Sequence, residues 1–420
     1  MSRSQRLIQL LTEQGPLSSA AVQKALGISR PTLSRLMREV NDQVLRLGQT
    51  RQVRYAVPRQ LEGLPDSLPV YRVDEDGRAH DHARIRALAP SEWAWQAEDG
   101  LRIGTGLPRE ISALWPRGYM ADAHFGQVGD EEEQLRLLSE QGIAMPGNLI
   151  LGEAAMAGFL GHDPEPHSLD DLPKLAQQAE AGDPPGEPVP GDSPRFTAWM
   201  EGHQVLVRFA PLADSPTAQR QAGLLAAEAQ ALELLRRQGL PVAPARLLDL
   251  GGYRFLATAR IDRVGRLGRR AVLPLRALSG KGVDPEDAAA TATALKRSAR
   301  LSAEEAEQIL WLEEFFRLIG SRPLDGETLP FFPTEDALHL APLQALPPSR
   351  LAPAEDGSLP DQFPAPSLPA TGALARWRSA AQAAAEYCQR LASDERLDFE
   401  LRKLAGGHGK MLAERLERLG

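Results

Sequence analysis

The chain has 420 residues, and its 48 Lys and Arg against 56 Asp and Glu give a net charge of −8. A hydrophobic content of 42% with 25% charged residues excludes wholesale disorder, and at roughly 100–200 residues per domain the length predicts about two to four domains. No apolar run reaches the ~18 residues of a spanning helix, and the start Met1-Ser2-Arg3-Ser4 does not read as a signal peptide. A cytoplasmic protein without a membrane partner is expected, and the single cysteine, Cys388, excludes an internal disulfide.

The charge is unevenly spread. Residues 1–57 hold nine Lys and Arg and three Asp and Glu, a net of +6, so the remainder sums to −14. Only the amino-terminal end suits a polyanion. There, Leu7, Ile8, Leu10 and Leu11 share one side of a helix that Gly15-Pro16 stops. A second helix is capped by Ser18 or Ser19 and ended by Gly27. A third starts at Ser29, carries Pro31 in its first turn and buries Leu33, Leu36, Met37 and Val40. The two helices joined at Gly27-Ile28 predict a helix-turn-helix.

The polar side of the third helix shows Arg30, Thr32, Ser34, Arg35 and Arg38, a mixture of phosphate contacts and hydroxyls able to reach base edges. Two alternating strands over 44–47 and 52–57 predict a wing that adds Arg46, Arg51 and Arg54. Double-stranded DNA is the expected partner. A small helical interaction domain with a solvated basic face is the alternative.

Residues 69–160 read as mixed α/β, with Trp93, Trp95, Trp115 and Tyr119 as core aromatics. Eight prolines and four glycines over 161–194 predict a linker or exposed loop. A second stretch with eight prolines, 341–372, reads as an insertion. Beyond it come an Ala-rich helix over 373–389 and a charged helix from Phe399, interrupted at Gly406-Gly407. After the expected linker, a hairpin ends its second strand at Arg208, and the long helical pattern from about Ala218 to Gln238 carries Glu228. A strand-borne cation oriented by a helix-borne carboxylate is how kinases hold nucleotide phosphates; two surface charges are the plainer alternative.

Longer stretches carry a resemblance. Gly106-Leu107-Pro108, Trp115-Pro116-Arg117-Gly118-Tyr119-Met120, Pro146-Gly147-Asn148-Leu149-Ile150-Leu151-Gly152 and Phe255-Leu256-Ala257-Thr258-Ala259-Arg260-Ile261-Asp262-Arg263 together resemble the HipA family of toxin kinases. The basic helix-turn-helix ahead of them is similar to the YjjJ subgroup. The resemblance implies an α+β chain, with an N-terminal winged helix-turn-helix followed by a HipA-like two-lobed protein-kinase-like fold. The expected boundaries are 1–58 for the DNA-binding unit, 69–160 for the HipA N-terminal-like subdomain, 161–194 for the linker and 195–420 for the kinase-fold unit. It also implies a protein partner of the antitoxin kind, and leaves a homodimer open.

The family's catalytic residues carry over poorly. Its loop Gly-Asn-Thr-Asp-x-His-x-x-Asn matches Gly320-Ser321-Arg322-Pro323-Leu324-Asp325-Gly326-Glu327-Thr328 with Pro323 at the base, Asp325 at the histidine and Thr328 at the asparagine that holds magnesium. The metal-binding Asp of its next motif is matched by Ala345, the strand lysine by Arg208, and the phosphate-covering loop by Gly191 to Phe196, including Arg195. The resemblance therefore implies a degenerate kinase acting as a regulator or scaffold, with Arg195, Arg208 and Glu228 as nucleotide-binding candidates and no metal site. An active Ser/Thr kinase using ATP and Mg2+ requires a shifted register in which Asp325 or Glu327 serves as base.

Overall fold

The computed structural model describes all residues except 50–52, 279, 325, 327, 345–347, 366–371 and 420. The chain opens with three short helices, α1 (Arg3–Gln14), α2 (Ser19–Leu26) and α3 (Arg30–Glu39), each started by a serine. Ser2, Ser18 and Ser29 each accept a first-turn backbone N–H, and Gly27 ends α2 in the left-handed region at φ 62°. Leu7, Leu11, Val22, Leu33, Leu36 and Val40 fill the space between the helices. A small antiparallel sheet of β1 (Leu17–Ser18), β2 (Leu45–Leu47) and β3 (Arg54–Ala56), in the order β1-β3-β2, completes the unit.

The next sheet is antiparallel throughout. Its strands are β4 (Leu68–Val73), β5 (Ala79–Leu88), β6 (Glu92–Ala97), β7 (Gly100–Thr105) and β8 (Leu149–Leu151), in the order β7-β6-β5-β4-β8. Helices α4 (Arg109–Ser112), α5 (Tyr119–Phe125), α6 (Glu131–Gln141) and α7 (Glu153–Leu160) accompany it. Trp93 and Trp95 are buried in its core and Trp115 packs at the edge, whereas Tyr119 lies against a separate cluster of Met120, Val189 and Leu206. On the opposite face, Leu88 and Ala94 receive Leu47 and Ala56 of the first unit. The small sheet is therefore docked onto the larger one by apolar contact.

The expected linker over 161–194 is a correction. It contributes β9 (Pro166–His167), which pairs in parallel with β10 (Arg195–Met200), and α8 (Leu172–Glu180). Leu172, Leu175, Ala176 and Ala179 recur at helical spacing and are buried against Phe196 and Val207, a pattern that the flanking prolines and glycines mask in composition. The sheet continues through β11 (His203–Pro211), β12 (Ala245–Leu250) and β13 (Tyr253–Ala259), in the order β12-β13-β11-β10-β9, with α9 (Pro216–Arg237) packed against it.

Short strands follow: β14 (Arg263–Val264), β15 (Gly268–Arg269), β16 (Leu273–Pro274), β17 (Pro330–Pro333) and β18 (Leu338–Leu340). The largest core lies among α9, α10 (Ala288–Arg297), α11 (Ala303–Leu318), α12 (Leu374–Ser393) and α13 (Phe399–Leu419). Contrary to expectation, α13 runs unbroken through Gly406-Gly407. Small residues suit its close approach to α12, where a Cβ at Gly409 would stand 3.1 Å from that of Cys388. Among the described residues no helix is long and apolar enough to cross a membrane.

A buried ionic cluster joins the two larger sheets. Arg260 contacts Asp262 at 2.8 and 3.0 Å and also pairs with Glu187. Arg263 reaches Asp262 and Glu187 at 2.8 Å each, and donates to the carbonyls of Met145 and Gly147 at 2.8 and 3.1 Å. The Gly147 amide donates to Asp262 at 3.0 Å. Burial by itself raises the Asp262 carboxyl, but Arg260 and Arg263 outweigh it and hold the group far below the usual carboxylate range. That contribution is complete above the unfolded value of about 4 and is lost as the pH falls toward the lowered folded value. Asp262→Asn is expected to cost about 3–5 kcal/mol in urea denaturation at pH 7, because it leaves guanidinium groups buried and under-paired. The gap between variant and parent is expected to narrow below about pH 4.

Candidate functional site

The strand-and-helix pair foreseen from the spacing forms. Arg208 on β11 lies opposite Arg195 of β10 and Leu256 of β13. Its guanidinium meets the carboxylate of Glu228 on α9 in an ion pair whose side chains are 3% and 1% exposed. Helix α9 brings Glu228 there because Leu224, Leu225, Ala231, Leu232 and Leu235 bury the same helix against the sheet and the helical core. The plainer alternative of two surface charges is thereby removed. The second Nη of Arg208 donates to the carbonyl of Gln344 at 3.0 Å, while its Nε is buried with no hydrogen-bond partner among the described residues. Gln344 in turn donates through Nε2 to the carbonyl of Ala259 at 2.8 Å. Sequence reasoning missed Gln344, since nothing local marks a glutamine as a bridge between distant strands.

Arg195 is equally enclosed. Its Nε donates to the Ser193 carbonyl at 2.8 Å, Nη2 to Ser193 Oγ at 2.7 Å and Nη1 to the Pro190 carbonyl at 2.6 Å. Burial, and then the charge of Arg208, bring its pKa down to about 9. The loop around it is fastened to the middle unit: Gly191 donates to the Arg117 carbonyl at 2.8 Å and accepts from the Tyr119 amide at 3.0 Å. A Cβ on Gly118 would stand 2.7 Å from the Gly191 carbonyl, and Gly118 has φ 86°, so glycine is required for this crossing. The Gly191 amide is thus spent on the Arg117 carbonyl.

Around the position matched to the catalytic loop, Pro323 is exposed and Thr328 half-buried, while Asp325, Glu327 and Ala345 lie outside the described residues. The loop is held by the Leu324 amide donating to Glu313 of α11 at 3.0 Å and the Arg322 amide donating to Ser349 Oγ at 3.1 Å. Burial raises the Glu313 carboxyl. At the described positions of this loop, Pro323 and Thr328 stand in place of the base and the asparagine that the resemblance implies. A proline offers no ligand oxygen from its side chain, and among the described residues no three His, Cys, Asp or Glu side chains converge.

In the first unit, Arg30, Ser34, Arg35 and Arg38 are exposed along α3. Thr32 is half-buried, its Oγ1 3.0 Å from Ser29 Oγ within the helix cap. Arg54 sits directly opposite Leu47 and so lies on the face that meets the middle sheet, half-buried and donating to Val53 O at 3.4 Å. Arg46 pairs with Tyr55 on the other face and is exposed, and Arg51 lies outside the described residues.

Residues 64–160 match the family described as the YjjJ-like toxin, middle domain. Over 93% of this chain and 94% of its counterpart, the sequence is 26% identical to Toxin YjjJ of Escherichia coli strain K12. Over most of its length the chain resembles the HipA-like YjjJ subgroup. Its fold is similar, with a TM-score of 0.56, to that of HipA from Shewanella oneidensis MR-1, solved in a complex of that toxin–antitoxin system's HipA, HipB and operator DNA. The likeness covers 84% of this chain and 97% of that one at 17% identity. A mixed α+β architecture with the fold of that HipA thus stands, and within it the strand cation and helix carboxylate of the C-terminal half form a closed internal pair. Glu228→Ala alone is expected to destabilise the protein by about 3–5 kcal/mol, by leaving Arg208 buried without its carboxylate. The double variant Arg208→Met, Glu228→Leu is expected to recover most of that loss in urea denaturation.

Proposed function

We propose that this HipA-like chain is a DNA-binding regulator whose kinase-like half binds or scaffolds rather than transferring phosphate. The observation that carries the reading is the contrast between its two sets of cations. Arg30, Arg35 and Arg38 are exposed along α3, while Arg195 and Arg208 are enclosed by the protein's own acceptors. On this reading residues 1–58 are a winged helix-turn-helix, with α3 entering the major groove and its arginines neutralising phosphates. Residues 69–160 form the connecting unit, and the C-terminal unit takes in the strand and helix of 166–180 as well as 195–420. The proposed partners are duplex DNA and, by analogy with the HipB of the Shewanella complex, a protein of the antitoxin kind.

Phosphoryl transfer needs a positioned base and metal-borne charge neutralisation. Pro323 supplies no base and Thr328 replaces the asparagine, so the reading assigns no catalytic step to ATP or magnesium. Two outcomes test it. Arg35→Ala with Arg38→Ala is expected to weaken duplex binding and to flatten its salt dependence by a slope of about one for each phosphate no longer neutralised; unchanged affinity and slope in the folded variant would overturn the DNA reading. The purified parent is expected to incorporate no γ-phosphate from ATP with magnesium. Magnesium-dependent incorporation abolished by Asp325→Ala would establish the active-kinase alternative.

A further inference from the structure

We propose that Gln344 is an internal latch. Its backbone and side chain keep Arg208 enclosed, and a nucleotide reaches that cation only after the latch is released. The proposal rests on reading Arg208 and Glu228 as a nucleotide-binding pair.

The latch is built from three anchors. The stretch after β18 is fixed first at Leu343, which is fully buried, donates to the Pro241 carbonyl at 3.0 Å and accepts from the Ala243 amide at 3.0 Å. This short parallel bridge with Val242 ties it to the turn before β12. The second anchor is the Gln344 carbonyl, which takes one Nη of Arg208 at 3.0 Å. The third is the side chain, which reaches Ala259 O at 2.8 Å. Ala259 ends β13 three residues beyond Leu256, the partner of Arg208 in the sheet. One glutamine thus spans from the cation to the end of the neighbouring strand.

The far side cannot yield. The Ala259 amide is bonded to Pro244 O at 2.9 Å, the Arg260 amide to Gln204 O at 2.9 Å, and the Arg260 side chain enters the buried ionic cluster. Glu228 takes the remaining Nη of Arg208. A phosphate that engages the Nη groups of Arg208 must therefore displace Gln344 rather than Glu228, since removing Glu228 would strip a buried cation of its countercharge. The Gln344 bonds are the replaceable ones. Neither has a carboxylate as acceptor, and a ligand can offer an anionic oxygen to Arg208 and an N–H to Ala259 in exchange.

Gln344→Ala and the size-preserving Gln344→Met both remove the bond to Ala259 and leave the Arg208–Glu228 pair intact. Two readouts on the full chain test the latch: amide hydrogen exchange at Ala243 and Leu343, and calorimetric titration with ATP. Both variants are expected to exchange faster at those amides and to bind ATP at least tenfold more tightly than the parent. Unchanged exchange, or weaker ATP binding in the variants, overturns the latch, the latter by making Gln344 a ligand contact. Faster exchange with no ATP binding in parent or variants upholds the latch and removes the nucleotide reading on which its ligand depends.

Discussion

The ion cluster of Arg260, Asp262, Arg263 and Glu187 is the constraint on which the rest of the molecule depends. It gathers residues from the end of β13, from the segment between α8 and β10, and from the turn before β8, and it buries nearly all of them. Arg269 adds a further guanidinium that donates to the Ile143 carbonyl and lies 5.1 Å from the Phe159 ring. Burial and the charge of Arg263 bring its pKa down to about 9. Desolvating such charges gains little net stability over an apolar contact. What it confers is a single docking geometry, because each guanidinium fork fits only when both carboxylates and the Met145 and Gly147 carbonyls are in place.

That geometry explains why two of the motifs behind the family resemblance occur together. The stretch from Pro146 to Gly152 and the stretch from Phe255 to Arg263 are far apart in the chain, yet the first offers Gly147 N and O to the Asp262 and Arg263 of the second. A third motif, Trp115 to Met120, grips the loop ahead of β10 through Gly118, Arg117 and Tyr119. These motifs act here as joints between units. Arg276 reinforces them by donating to the carbonyls of Ser112, Ala113 and Trp115.

The joints set the state of the cations. With the loop pinned by Gly118 and folded around Arg195, and the Arg208 fork closed between Glu228 and Gln344, the strand cation is part of the interior. The first unit stands in the opposite condition. It is anchored by Leu47 and Ala56 on the outer face of the middle sheet, and the exposed side of α3 remains in solvent. Apolar docking fixes the orientation of α3 relative to the body without consuming its arginines, although it draws Arg54 toward the sheet.

Much of this was determined locally. Serine caps, the Gly27 stop and apolar spacing of three and four specify the first three helices, because those signals act within a single turn of chain. The alternation of β10 and β11 and the Glu228 side of α9 likewise placed Arg208 and its carboxylate correctly. Composition misled at 161–194, where prolines and glycines surround a genuine amphipathic helix, and at Gly406-Gly407, where burial of the helix's Leu401, Ala405, His408 and Leu412 overrides a weak propensity. Tertiary structure alone decided that Glu187 completes an ion cluster, that Arg54 faces a neighbouring sheet, and that Gln344 joins Arg208 to Ala259. Each of these depends on which groups share one dehydrated space across large separations in sequence, and a charge or amide carries no local mark of the partner it will meet there.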